Sequence, residues 1–127
     1  MSAPRVLVID DNPINIDLVS HVLGSDGFIV DTALDAKEAS MRIAACRPDV
    51  VLLDIQLPEV DGLALARQLK ADPSTRGLPI IAFTAYAMKG DEEKMLAAGC
   101  DGYLAKPIDI ATFSSSVRAH LKAPHVN

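Results

Sequence analysis

The chain has 127 residues, 50% of them hydrophobic but only 4% aromatic, with 17 acidic against 12 basic side chains and a formal net charge of −5. That length suits one domain with a real core, filled by Ile, Val, Leu and Ala rather than by rings, the usual palette of a parallel sheet flanked by helices. Scattered basic residues argue against direct nucleic-acid contact, and no apolar run reaches the about 18 residues that a membrane span needs.

Met1 to Arg5 runs straight into a strand-like segment without the charged and apolar regions of an export signal, so a soluble, cytoplasmic protein is expected. Cys46 and Cys100 stand alone, in segments that read as helix and turn, and are expected to be buried free thiols rather than a disulfide or metal pair.

The first apolar run, Arg5 to Ile9, reads as a strand and ends in Asp10 and Asp11. Asn12 or Asp11 can cap a helix that begins at Pro13, with Ile14, Leu18 and Val22 on one face. Phe28 to Val30 is a second strand. Asp35 with Glu38 forms a capping box opening a second helix, whose Ala36, Ala39, Ile43 and Cys46 share a face. Val50 to Leu53 is a third strand, followed directly by Asp54 and then by a loop from Ile55 to Asp61. Leu65, Ala66 and Leu69 give the third helix its apolar face.

Pro79 to Phe83 is a fourth strand, ending in Thr84. Asp91 can cap a helical turn that begins with Glu92 and Glu93, and Gly99 supplies a left-handed stop. Tyr103 to Ala105 is a fifth strand, with Lys106 after it. Ile110, Phe113, Val117 and Leu121 then form one stripe after Asp109. The predicted single domain spans residues 1–127, with a core of about 5–121 and a frayed tail over 122–127.

Five rounds of strand and helix predict an α/β, doubly wound parallel sheet with helices on both faces, joined by right-handed crossovers. Ligands of such a sheet bind outside the carboxyl ends of the strands, where the strand order reverses. Asp10, Asp11, Asp54, Thr84 and Lys106 all converge on that edge. Two carboxylates about 4 Å apart repel by roughly 4 kcal/mol at an effective dielectric near 20, and one lysine offsets only part of the charge. A bound divalent ion is the natural complement, and oxygen ligands without His or Cys favour Mg²⁺ over Zn²⁺. The plainer alternative is that Asp10 and Asp11 solvate a strand end. Asp54 weighs against it, because an acid directly after Val50 to Leu53 has no capping duty.

The stretches VLVIDDN (Val6 to Asn12), VVLLDIQLPEVDG (Val50 to Gly62), AFTA (Ala82 to Ala85) and GYLAKP (Gly102 to Pro107) resemble, in this order and spacing, the receiver domain of two-component response regulators. The resemblance covers Val6 to about Leu121 and implies a flavodoxin-like sheet of strand order 2-1-3-4-5. It further implies that Asp54 accepts a phosphoryl group, and that Asp11, Asp54 and the Gln56 backbone carbonyl bind Mg²⁺ directly, with Mn²⁺ as an alternative. Asp10 would act through a metal-bound water. Lys106 would pair first with Asp54 and then with a phosphoryl oxygen, ahead of a cis peptide to Pro107.

The same resemblance makes the chain a phosphoacceptor that assists its own phosphorylation and dephosphorylation, not a free-standing enzyme. Charge neutralisation by Mg²⁺ and Lys106 and a carboxylate nucleophile suit phosphoryl transfer from a phosphohistidine of a histidine kinase or phosphotransfer protein. The Thr84 hydroxyl and the Ala85 N–H would donate to the new phosphoryl oxygens, and Tyr103 would follow Thr84 as a switch. The change would then reach a downstream protein through the fourth helix, fifth strand and fifth helix. Thr84 also reads as an ordinary β-branched strand residue, and Tyr103 as an edge aromatic packed on the last helix. Gln56 and Tyr86 would tune the lifetime of the acyl phosphate, with Tyr86 restricting water.

Asn12, Pro13, Ile14 and Asn15 form a candidate docking patch for the donor helix, or simply a helix start. His21, His120 and His125 match no functional position and read as solvated surface residues. Nothing but a short tail follows Leu121, so output through protein contacts is expected, from a monomer or weak dimer. TAYAMKGDEEKMLAAGC and DIQLPEVDG resemble single-domain receivers that act on cell-cycle histidine kinases, and receivers of hybrid kinases as well. A phosphorylation-independent, receiver-like binding module is the alternative. An aspartyl hydrolase is disfavoured by adjacent acids in place of D-x-D, and flavin binding by the lack of Gly from Asp10 to Asn15.

Overall fold

Strands and helices alternate through the chain: β1 (Arg5–Ile9), α1 (Pro13–Ser25), β2 (Ile29–Ala33), α2 (Ala36–Ala45), β3 (Val50–Asp54), α3 (Gly62–Ala71), β4 (Ile80–Thr84), α4 (Lys89–Ala97), β5 (Gly102–Ala105) and α5 (Phe113–Ala119). The computed structural model describes residues 3–55, 62–84, 89–105 and 109–121. All pairings are parallel and the sheet order is β2-β1-β3-β4-β5, the expected doubly wound arrangement.

Alternation along the strands divides the core into two layers. Leu7, Ile9, Val51, Leu53, Ile80 and Ala82 meet Ala39, Ile43, Leu65, Leu69 and Met95 of α2, α3 and α4. Val6, Val8, Val50, Leu52, Ile81 and Phe83 meet Ile16, Val19, Leu23, Phe113 and Val117 of α1 and α5. Both faces are covered, which is why the strands read as unbroken apolar runs.

The local signals fix the helix starts. Asn12 caps α1, its Oδ1 accepting the Ile14 N–H at 2.9 Å and the Asn15 N–H at 3.5 Å, with Pro13 at the first helical position. Asp35 Oδ1 accepts the Glu38 N–H at 2.8 Å, and Glu38 Oε1 reaches back to the Leu34 N–H at 2.7 Å. This is a capping box displaced outward by one residue.

Several expectations need correction. The buried face of α1 carries Ile16, Val19, Val22 and Leu23, so Ile14, 77% exposed, and Leu18, 43% exposed, turn to solvent. Cys46 is exposed because the chain leaves α2 there in an extended conformation; only Cys100 is buried. Asp91 lies inside α4, which begins at Lys89, and so is not its cap. Ile110 precedes α5 in a turn and is exposed, leaving Phe113 and Val117 as the buried face. His120 is not a solvated residue. Its half-buried ring lies over Gly102, with Nδ1 3.0 Å from the Ser116 carbonyl oxygen. His21 is exposed as expected, whereas His125 lies outside the described residues.

At the amino end of the strands, the Lys70 ammonium donates to the Leu78 carbonyl at 2.8 Å, the Arg76 carbonyl at 3.3 Å and the Asp101 carboxylate at 3.0 Å. Asp101 also accepts the Ile80 N–H at 2.8 Å. One side chain thus ties the end of α3 to the starts of β4 and β5. Gly99 sits above it with φ +99°, the left-handed stop expected after α4.

Candidate functional site

The sheet order places β1 beside both β2 and β3, so the winding reverses between β1 and β3. Ile9 pairs with Leu53 there, and the next residue on each strand is an acid, Asp10 and Asp54. Both are buried, at 1% and 4% exposure, while Asp11 is exposed. Carboxylate oxygens of Asp10, Asp11 and Asp54 all lie within 4.8 Å of one another.

Backbone contacts hold this arrangement. The Asp10 N–H donates to the Ala33 carbonyl of β2 at 3.1 Å, and its Oδ1 accepts the Asn12 N–H at 2.9 Å. Asp10 is therefore fixed between the end of β1 and the capped start of α1. Asp54 pairs with Phe83 of β4, and the Gly62 N–H donates to the Ile55 carbonyl at 3.1 Å, which ties the start of α3 to the end of β3. Thr84 ends β4 opposite Ala105 of β5 and so stands on the same carboxyl edge. Tyr103, on β5, is partly buried and packs against the layer formed by α2, α3 and α4.

Two unit charges 4.8 Å apart repel by about 3.5 kcal/mol at an effective dielectric of about 20. Two buried acids and a third beside them thus form a site that a cation would relieve. Oxygens on opposite sides of one Mg²⁺ stand about 4.2 Å apart, so this all-oxygen set fits such an ion with some ligands direct and another through water. Sequence reasoning brought Asp10, Asp11 and Asp54 together correctly. Gln56, Ala85, Tyr86, Lys106 and Pro107 lie outside the described residues.

Two contributors were missed. The Asn12 N–H on Asp10 follows from the cap geometry and has no side-chain signature. Gly62 starts α3 against the Asp54 backbone, and a Gly at a helix start is ordinary enough to give no signal of that contact.

Residues 6–118 match the family model of the response regulator receiver domain. The chain is 39% identical over 116 residues to the polar-differentiation response regulator DivK of Brucella anthropi, spanning 91% of this chain and 94% of that one. The DivK protein of Brucella ovis is 38% identical over the same length. Among solved structures, the receiver domain of sensor histidine kinase PA1611 from Pseudomonas aeruginosa, with magnesium in its active site cleft, is 34% identical with a TM-score of 0.86, over 96% of this chain and 100% of that one. Chemotaxis protein CheY4 of Vibrio cholerae is 27% identical with a TM-score of 0.89, over 94% and 100% of the two chains. The chain belongs to the response regulator receiver domain family and hence to two-component signalling.

Proposed function

We propose that this protein accepts a phosphoryl group on Asp54 from a phosphohistidine of a histidine kinase or phosphotransfer protein and thereby switches its contacts with other proteins. The supporting observation is the acidic trio at the switch point of the sheet, with Asp54 buried at the end of β3. In the transfer an Asp54 carboxylate oxygen forms the new bond to phosphorus as the phosphorus–nitrogen bond breaks and the donor imidazole leaves.

Mg²⁺, held by Asp11, Asp54 and the Gln56 carbonyl with Asp10 acting through water, would supply positive charge against the carboxylates and the phosphoryl oxygens. Asp10 orients the start of α1 through its bond from the Asn12 N–H. Lys106 pairs with the Asp54 carboxylate and then with a phosphoryl oxygen, Thr84 and the Ala85 N–H donate to the phosphoryl oxygens, and Gln56 and Tyr86 tune the lifetime of the acyl phosphate, with Tyr86 restricting water. The added charge shifts the balance between two conformations, read at Tyr103 and the surface of α4, β5 and α5. A Tyr86→Ala variant is accordingly expected to lose its phosphoryl group faster than the wild type.

The reading extends to control of cell-cycle kinases by a cytoplasmic protein that is a monomer or weak dimer; the likeness to polar-differentiation response regulators supports the regulatory role alone. Ile14, exposed on the first turn of α1 beside the acidic trio, supports donor docking there. Incubation with a small phosphodonor, with and without Mg²⁺, followed by intact mass, tests the reading. One Mg²⁺-dependent phosphoryl adduct is the expected result. No adduct at any Mg²⁺ concentration would favour a phosphorylation-independent binding module.

A further inference from the structure

We infer that Gly62 is a positioning residue for the acidic site: the missing side chain at the start of α3 lets the backbone leaving Asp54 keep its place. A Cβ on Gly62 would stand 2.4 Å from the Ile55 Cα, 2.5 Å from the Asp54 carbonyl oxygen and 3.0 Å from the Ile55 carbonyl carbon. Ordinary contact begins near 3.4 Å, and all three neighbours are backbone atoms that no rotamer change can move. One added methyl group therefore requires a backbone displacement of about 1 Å.

Part of that displacement falls on the Asp54 side. Leu63, Leu65, Ala66 and Leu69 anchor α3 in the core, so the added methyl group bears on the Asp54 carbonyl and on Ile55, just beyond the end of β3. Conformational freedom is not the reason for this glycine: among the described residues only Gly27 and Gly99 have positive φ. Nor are the other close glycines equivalent. A Cβ at Gly99 would meet the Lys70 side chain and one at Gly102 the His120 ring, while Gly24 has nothing within 4 Å. Gly62 alone among them presses on the peptide that follows the acceptor carboxylate. Its N–H also donates to the Ile55 carbonyl at 3.1 Å.

This role rests on the proposed phosphoryl transfer, in which the Asp54 carboxylate is both the nucleophile and a direct Mg²⁺ ligand. A misplacement of about 1 Å at a reacting centre can cost about a hundredfold in rate. The test compares full-length wild type, Gly62→Ala and Gly24→Ala at a temperature where urea titration shows each to be folded. Mg²⁺ affinity is read from amide NMR titration, and the phosphorylation rate from a small phosphodonor at saturating Mg²⁺.

Gly62→Ala is expected to bind Mg²⁺ at least about tenfold more weakly and to react about 10- to 100-fold more slowly, with Gly24→Ala like wild type. A Gly62→Ala protein within twofold of wild type in both would overturn the role while leaving the site reading intact. A wild type that takes neither Mg²⁺ nor phosphoryl group would remove both. Should Gly62→Ala not fold, wild type decides alone. The Gly62 and Ile55 amide signals are expected to move with one Mg²⁺ midpoint, and an unmoved Gly62 amide would overturn the role.

Discussion

Asp10 and Asp54 end two adjacent parallel strands, one residue beyond the paired Ile9 and Leu53, and both carboxylates are buried. With Asp11 their oxygens lie within 4.8 Å, so the folded state concentrates negative charge where water is scarce. Removing one of these charges should relieve repulsion. Asp10→Asn keeps an oxygen able to accept the Asn12 N–H, and in the absence of divalent ions it is expected to raise stability by about 1–2 kcal/mol. Urea unfolding checks this, and an unchanged or lower midpoint would contradict it. Mg²⁺ should stabilise wild type more than the variant, since a bound ligand adds stability as RT ln(1 + [L]/Kd) and the variant's Kd is expected to be higher.

Asn12 has a separate task, as the cap of α1. Its Oδ1 accepts two N–H groups of the first turn, and Asn12→Ala leaves both without that acceptor. The expected loss is about 1 kcal/mol by urea unfolding. A loss below a few tenths would mean that water replaces the cap without cost.

Lys70 holds the opposite end of the sheet. Lys70→Met keeps the aliphatic stem beneath Gly99 but removes the donor to two carbonyls and to Asp101. A loss of about 1–3 kcal/mol is expected. Phosphorylation rate should stay within twofold of wild type, because the contact lies at the amino end of the strands and the acidic trio at the carboxyl end. A large fall in rate with little change in stability would show coupling between the two edges.

The two thiols should differ sharply toward alkylating reagents. Cys46 is exposed, whereas burial, with a smaller push from Asp101, raises the Cys100 thiol to about 11, the Lys70 charge opposing. Near neutral pH, Cys46 is expected to react and Cys100 to resist until the protein unfolds. A raised folded pKa means that the protonated thiol is favoured in the native state. That contribution is present below about 9 and is lost as pH rises toward about 11. The stability difference between wild type and Cys100→Ala should therefore shrink across that window, and a constant difference would contradict the assignment.

Much of the fold is legible in the residues. Apolar runs as short as Val50 to Leu53 can be read as strands because both faces of the sheet are covered, and Asp35 with Glu38 or Gly99 mark helix ends through local chemistry. What failed was the orientation of helices. Ile14 and Leu18 fit an apolar face as well as Ile16, Val19 and Leu23 do, and only docking on β1 and β3 decides which pair turns to solvent. Cys46 and Ile110 sit just outside helix ends, where a periodic stripe continues in sequence but the helix does not.

The acid trio was legible because strand ends in a doubly wound sheet share one edge. Asp10, Asp11 and Asp54 needed no side-chain detail to be brought together, only the sheet. Gly62 was not legible as part of that site. Its contribution is a distance between two backbones, and spacing along the chain carries no such distance.

The most direct test of the account is to find where the phosphoryl group resides. Protein treated with a small phosphodonor and Mg²⁺ is reduced with borohydride, which converts an aspartyl phosphate to homoserine, and is then mapped by peptide mass spectrometry. Conversion at Asp54 in wild type, and none at any acid in Asp54→Asn, is the expected result. Conversion at Asp10 or Asp11, or equal labelling of Asp54→Asn and wild type, would contradict the assignment of Asp54 as acceptor.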